Sequence, residues 1–166
     1  TGMLFIVIGM LITRGGSRLI ADYGGVAALA PVLAGMMLVA GLATLALPGT
    51  NSFVPEFLVL IGSFPRQPMY TIIATAGIIL AALYVLWVYQ RVMTGPVRGA
   101  AVLGALGDGP GTTMAPEVAA NRRGNRFPDL SVREIAVLVP LVVLILLLGF
   151  YPQPVLDVIN PSVGAT

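Results

Sequence analysis

The chain has 166 residues, of which 57% are hydrophobic and 10% are charged, and its mean hydropathy is +0.96. Soluble domains carry about 25% charged residues, so this composition indicates a membrane protein embedded in a lipid bilayer. The chain has no Cys and no His, which excludes disulfides and thiolate or imidazole metal sites, and its small net charge of +2 gives no support for nucleic-acid binding.

The apolar segments predict an all-α fold, a polytopic bundle of transmembrane helices in a single membrane region. Residues 1–12 would cover only about 18 Å as a helix, whereas the hydrocarbon core is about 30 Å thick. We therefore expect a partial helix here. No initiator Met precedes it, so we also expect the sequence to be a piece of a longer protein.

The second apolar segment, residues 31–64, is longer than one straight span needs and is interrupted at 48–52. Pro48 and Pro55 have no amide donors, and a proline disfavours helix in the residue before it. The pattern therefore predicts a broken transmembrane helix with a non-helical turn between its two halves.

Two further spans follow. Residues 69–90 form an uninterrupted apolar helix that ends in aromatic residues typical of the membrane interface. Residues 132–150 predict the last transmembrane helix, because Ser131 with Glu134 three residues later is the pattern of a capping box. We expect Arg133, beside Glu134, to form an interfacial pair with it.

The segments outside these spans indicate an orientation. Residues 91–131 are rich in Gly, Pro and Arg without a sustained helical period, which predicts a mobile surface loop. Eight of the nine Arg lie in this loop, beside it, or between the first two apolar segments, whereas the tail 151–166 has no cation. The positive-inside rule therefore predicts that the Arg-rich loops are cytoplasmic and that the tail is on the outer side.

An acid follows the break closely. The stretch "LPGTNSFVPEFLVLIG" places two prolines, a glycine and three polar residues before Glu56 or beside it. Irregular backbone at membrane depth must be packed within protein or line a wet cavity. Half-helix ends in transporters hold ions, and intramembrane acids by default mark proton or ion routes. We therefore predict that Glu56 transfers a proton.

Four polar residues are candidate support at the helix break. Helical spacing places Ser52 and Ser63 on the same face as Glu56, and Thr50 and Asn51 precede them in the break. The structural alternative is that Glu56 caps the second half-helix, with Thr50 and Ser52 satisfying its free amides. The residue pattern leaves both interpretations open.

Three stretches, "LPGTNSFVPEFLVLIGSF", "YQRVMTGP" and "LSVREIAVLVPLVVLILLLGFYPQPVLD", resemble the C-terminal part of the M subunit of bacterial respiratory NADH:quinone oxidoreductase, complex I. The M subunit belongs to a family of antiporter-like, proton-translocating membrane subunits. Its members carry Glu at the position of Glu56, where the related L and N subunits typically carry Lys. Pro55 departs from the family, which usually has Gly there.

The resemblance implies two inverted helical repeats, each with a broken helix, and a polar axis through the membrane that couples quinone reduction to proton pumping. It implies L- and N-type subunits as partners and the bacterial inner membrane as location. No cofactor or metal is expected in this chain; NADH, FMN, iron–sulfur clusters and quinone are expected in other subunits. The alternatives are a subunit of a multisubunit cation/proton antiporter, or a structural or non-functional membrane fragment.

We predict that Gly109, in the 91–131 loop, and Ser162, in the tail, lie on opposite sides of the membrane. Each is replaced by a single Cys and labelled in sealed vesicles with an impermeant maleimide. Gly109→Cys should react from the cytoplasmic side alone and Ser162→Cys from the other side alone. Labelling of both positions from the same side would contradict the predicted topology.

Overall fold

The computed structural model describes residues 1–106 and 127–153, and every regular element within them is helical, which confirms the predicted all-α fold for this part of the chain. A single 3-10 turn, Ile20–Asp22, lies between the first two helices. The α-helices of the described part, in chain order, are α1 Gly2–Gly15, α2 Val26–Leu29, α3 Pro31–Thr44, α4 Phe53–Ser63, α5 Pro68–Met93, α6 Ala100–Leu106 and α7 Val132–Phe150.

The first helix continues past the predicted end at residue 12. It ends where Gly16 takes a left-handed backbone with a φ of 71°, and the Gly16 amide donates to the Ile12 carbonyl at 2.7 Å. Glycine is the usual residue at this helix end because it has no Cβ to clash. Arg14 therefore lies in the last turn of α1, beside the carbonyl end of the helix.

The second apolar segment is interrupted where the sequence predicts it, and the interruption is longer than predicted. Helix α3 ends at Thr44 and α4 begins at Phe53, so residues 45–52 are non-helical. The break begins early because Ala46 has a φ of 51°, which no right-handed helix can include. The half-helices are therefore 14 and 11 residues long.

The hydrophobic core runs along α1 and α3, which pack against each other. Helix α2 and the end of α5 pack against α3, and α6 packs against α1. Its largest fully buried side chains are Val7, Val26, Leu29, Leu33, Met93, Val97, Val102, Leu103, Phe127 and Leu138.

Part of the segment predicted as a mobile surface loop is folded into this core, so that prediction was wrong for residues 91–106. Helix α5 continues to Met93, and the short helix α6 buries Val102 and Leu103 completely. The amide of Arg98 donates to the Gly24 carbonyl at 3.2 Å and ties this segment to the turn before α2.

The glycines that hide this helix from a sequence pattern serve as turns in the structure. Gly95 and Gly99 have φ values of 88° and 94°, and they divide the chain after α5 into the short stretch 96–98 and the seven-residue helix α6. Such pieces are too short to show a helical period. The rest of the predicted loop, 107–126, and the tail from residue 154 lie outside the described residues.

Helices α5 and α7 are both long and apolar enough to cross a membrane by length and composition. Only 6% of the most apolar window of each is buried. Helix α4 has no buried residue, although it is apolar along most of its length. Apolar surfaces of this extent require lipid or further polypeptide against them.

The predicted capping box at the start of α7 is confirmed. The Ser131 hydroxyl accepts a hydrogen bond from the Glu134 amide at 3.4 Å, and the Glu134 carboxylate accepts one from the Ser131 amide at 2.7 Å. This arrangement satisfies two amides at the helix start that have no partner within the helix.

The predicted pair between Arg133 and Glu134 was wrong, because Glu134 forms its ion pair with Arg14 at 2.6 Å. Adjacent residues on a helix point in different directions and do not face each other, whereas the end of α1 lies directly beside the start of α7. The Arg14 side chain is only 9% exposed and the Glu134 side chain 27% exposed.

The same Arg14 guanidinium holds the chain that leads into α7. It donates to the carbonyls of Pro128 at 2.8 Å and Asp129 at 3.3 Å, and to the Met10 carbonyl in its own helix at 3.0 Å. A buried guanidinium is tolerated when its donors are used in this way. The segment before α7 is therefore fixed against the end of α1.

Asp129 in turn caps the first half-helix. Its two carboxylate oxygens accept the amides of Val32 and Leu33, both at 3.0 Å. Pro31, at the first position of α3, has no amide to satisfy. A carboxylate at this end also interacts favourably with the helix dipole. The start of α3 is thus held by a residue 96 positions or more away in sequence.

We predict that Arg14→Gln lowers the free energy of unfolding by about 1.5–3 kcal/mol, because hydrogen bonds to charged groups contribute this much. The matched control is Arg18→Gln, since Arg18 is exposed and carries the same charge in the same connection. Thermal unfolding of the complete membrane protein in detergent measures both. Equal midpoints for the two variants would contradict the role assigned to Arg14.

Candidate functional site

The backbone between α3 and α4 turns through conformations that helices do not use. Ala46 has a φ of 51° and Gly49 a φ of 93°, both in the left-handed region. Glycine takes this conformation freely, whereas a residue with a Cβ pays roughly 1–2 kcal/mol for it. Gly49 therefore suits its position, while Ala46 is held at the break under local strain.

The polar residues of the break bond to the break itself. The amide and the hydroxyl of Thr50 both donate to the Leu47 carbonyl, at 3.0 and 2.8 Å. The Ser52 hydroxyl donates to the Asn51 side-chain oxygen at 3.5 Å. These contacts stabilise the turn, and none of them reaches Glu56.

The predicted capping of the second half-helix by side chains is not what the structure shows. Ser52 is the residue at the start of α4, but its hydroxyl accepts no amide of the helix. Its backbone carbonyl accepts the Glu56 amide at 3.4 Å instead. In a capping box the acid occupies the third helical position, and Pro55 occupies that position in α4. Glu56 is the fourth helical residue, so it cannot complete a capping box.

Glu56 lies in the first turn of α4 and is exposed on the surface of the described chain. It lines a groove of about 330 Å³ between α4 and α5, with Val59, Leu60, Ala74 and Ile78 among its neighbours. In residues 1–106 and 127–153 no side chain donates a hydrogen bond to its carboxylate, and no cation lies within ion-pair distance of it. The acid thus has largely apolar surroundings.

A second, smaller hollow connects Glu56 to the break. Leu45 and Ala46, from the first residues of the break, line it together with Glu56. The rings of Phe53 and Phe57 also line it and are stacked, with their centroids 5.4 Å apart. Glu56 is therefore placed between the irregular backbone on one side and the face of α5 on the other.

The structure does not bring Ser63 to Glu56. Seven residues separate them, which is about 10 Å along a helix axis. Ser63 lines the adjoining groove at the turn between α4 and α5, together with Arg66 and Gln67. Of the four predicted support residues, Thr50, Asn51 and Ser52 lie at the break, and Ser63 lies at the far end of α4.

The sequence reasoning missed one close contact at the break. The backbone of Gly149, near the end of α7, packs directly on the backbone of Gly49 and Thr50, and the Phe150 ring lies against Gly49. A glycine among bulky apolar residues in the last turn of a helix is a signal for such close approach. Within the described residues there is no cluster of three His, Cys, Asp or Glu that could hold a metal.

Comparison with protein families gives one match that covers half of the chain. Residues 1–84 match the family described as "NADH:quinone oxidoreductase/Mrp antiporter, TM". The matched range includes the broken helix, Glu56 and most of α5.

Comparison with individual proteins extends over the whole chain. It is 45% identical over 167 aligned residues to NADH-quinone oxidoreductase subunit M of Mycobacterium tuberculosis, covering 100% of this chain and 26% of that protein. It is 36% identical to subunit M of Rhodobacter capsulatus, covering 99% and 28%, and 32% identical to NADH-ubiquinone oxidoreductase chain 4 of Marchantia polymorpha, covering 97% and 28%. The chain spans about a quarter of the length of these relatives.

Proposed function

Because the chain belongs to the NADH:quinone oxidoreductase/Mrp antiporter transmembrane family, we propose that it is the C-terminal part of a proton-translocating, M-type subunit of NADH:quinone oxidoreductase. The similarity to proteins named subunit M and chain 4 supports this assignment along the full chain. In this function the subunit moves protons across the membrane while quinone is reduced elsewhere in the complex.

The observation that carries the proposal is the difference between the two described glutamates. Glu134 accepts hydrogen bonds from Arg14 and from the Ser131 amide, both on Oε2, so its carboxylate is engaged in holding the fold. Glu56 has no such partner in the described part of the chain and lies in an apolar groove beside a helix break. An acid placed in a membrane segment without a structural partner is the kind that functions in proton transfer.

Glu56 lines both the hollow at the break and the groove along α5, so a proton can approach it from either of them. A positioned carboxylate within reach of a proton donor and a proton acceptor can pass a proton between them. In the proposed step the carboxylate accepts a proton from a water chain or neighbouring acid on one side, and the resulting acid releases it on the other.

The proposal places electron transfer outside this chain. NADH, FMN, iron–sulfur clusters and quinone are bound by other subunits, so this chain contributes to an oxidoreductase without a redox site of its own. Its neighbours are the other membrane subunits, especially the L- and N-type antiporter-like ones. Their surfaces and lipid would cover the exposed apolar faces of α4, α5 and α7.

The proposed location is the bacterial inner membrane, with the Arg-rich end of the molecule on the cytoplasmic side. Arg14 and Arg98 both lie at the end of the bundle where α1 ends and where α3 and α7 begin. Arg66 lies in the turn between α4 and α5, at the opposite end of the second half-helix. This distribution supports the orientation derived from the positive-inside rule.

We predict that Glu56→Gln reduces proton pumping in the complete, assembled complex by about 100-fold or more, because positioned general acid–base groups contribute roughly 100- to 10,000-fold. The amide keeps the size of the side chain and cannot carry a proton. Electron transfer from NADH to a soluble acceptor should be unchanged. Proton uptake into inverted membrane vesicles measures pumping, and NADH oxidation by the soluble acceptor in the same vesicles measures electron transfer.

The controls are Glu56→Asp and Asp22→Asn. Glu56→Asp keeps the acid and withdraws it by one methylene, so it should lose less pumping than Glu56→Gln. Asp22→Asn removes a carboxylate from the 3-10 turn outside the spans, where it accepts from the Ser17 hydroxyl, and should pump normally. Pumping by Glu56→Gln at the wild-type rate and proton-to-electron ratio would show that the proton role is wrong.

A further inference from the structure

We propose that helix α7 positions Glu56 by holding the first half-helix at both of its ends, and that Gly149 is the positioning residue at the break. The consequence for proton transfer rests on the proposed function of Glu56. The hold on the half-helix itself does not, because it follows from contacts that can be tested separately.

The first end of the hold is the start of α3. Asp129, three residues before α7 begins, accepts the amides of Val32 and Leu33 at 3.0 Å each. Arg14 donates hydrogen bonds to the carbonyls of Pro128 and Asp129 and to the Glu134 carboxylate in the first turn of α7. The start of α3 and the start of α7 are therefore joined through one hydrogen-bonded cluster.

The second end of the hold is the break. A Cβ added to Gly149 would overlap the Gly49 carbonyl group and would lie 2.6 Å from the Thr50 carbonyl carbon. The atoms in the way belong to the backbone, so they cannot rotate aside as a side chain can. A Cβ added to Gly49 would in turn lie 3.0 Å from the Phe150 ring. The end of α7 can therefore approach the break this closely only because positions 49 and 149 are both glycine.

The lengths of the elements agree with this arrangement. At 1.5 Å per residue, α7 covers about 26 Å from Val132 to Gly149, whereas α3 covers about 18 Å from Val32 to Thr44. The non-helical residues after Thr44 must cover the difference of about 8 Å. The two helices run in the same direction, so the length of α7 determines where the irregular backbone lies relative to the start of α3.

The backbone that Gly149 touches leads directly to the acid. The Thr50 carbonyl accepts the amide of Phe53, the first residue of α4, at 3.2 Å. Glu56 follows in the same turn. A displacement of Thr50 is therefore transmitted to the start of α4 and to the position of Glu56 in its groove.

The test is Gly149→Ala in the complete, assembled complex, with Gly77→Ala in α5 as the matched control. Both changes add one methyl group to a helical glycine, and the Cβ at Gly77 meets nothing within 4 Å. Overpacking against fixed atoms should raise the local opening equilibrium of the break roughly 5- to 150-fold. Hydrogen–deuterium exchange of the amides of residues 45–56 measures this opening equilibrium. The number of protons pumped per electron is measured on the same variants.

We expect faster exchange at the break and fewer protons per electron in Gly149→Ala, and neither change in Gly77→Ala. Unchanged exchange at residues 45–56 in Gly149→Ala would overturn the positioning role. If exchange rises and pumping persists in Gly149→Ala while Glu56→Gln abolishes pumping, the link from Gly149 to Glu56 is overturned. If pumping persists in Glu56→Gln as well, the proposed function fails and the hold on α3 stands.

A second variant covers the case in which Gly149→Ala prevents assembly. Asp129→Asn replaces one of the two accepting oxygens by an amide group that cannot accept, so Val32 or Leu33 loses its partner. The rate of hydrogen–deuterium exchange should then rise at these two amides. It should also rise at the break, because α3 joins its start to the break. A rise confined to Val32 and Leu33 would show that the two ends are independent and would overturn the proposal.

Discussion

The guanidinium of Arg14 fixes the end of the molecule on which the remaining arrangement depends. Its four side-chain hydrogen bonds reach its own helix, two carbonyls before α7 and the Glu134 carboxylate. A charge this deeply buried must be paired or it would be costly to keep. Once the segment before α7 is fixed, the Asp129 carboxylate is held at the start of α3, and the direction of the first half-helix follows.

The break in the second segment then has a physical explanation. A helix interrupted at membrane depth needs its irregular backbone covered by protein. The end of α7 supplies that cover through backbone-to-backbone contact at Gly49 and Gly149, and Thr50 completes the turn with its own hydroxyl. The side chain of Glu56, next to the break, takes no part in these contacts within residues 1–106 and 127–153. It is therefore available for the proton exchange proposed for it.

Local patterns in the sequence were sufficient for some of this arrangement. The prolines predicted the interruption, and the Ser131 and Glu134 spacing predicted the capping box, because both effects act over a few residues. The short buried helix α6 was not predicted from the sequence, because glycines at turns divide it from its neighbours. The Arg14–Glu134 pair and the Asp129 cap join residues that are about 100 or more positions apart, which no local period reveals. The wrong pairing of Arg133 with Glu134 came from judging proximity by sequence rather than by helix direction.

The central claim is that Glu56 changes its protonation state during turnover, and infrared difference spectroscopy of the complete complex tests it most directly. The spectrum of the resting complex is subtracted from that of the complex during turnover, once in ordinary water and once in heavy water. The account predicts a carboxylic-acid carbonyl band that shifts with the isotope and is absent in Glu56→Gln. Identical difference spectra for the wild type and Glu56→Gln would contradict it, because the acid would then keep one charge state throughout.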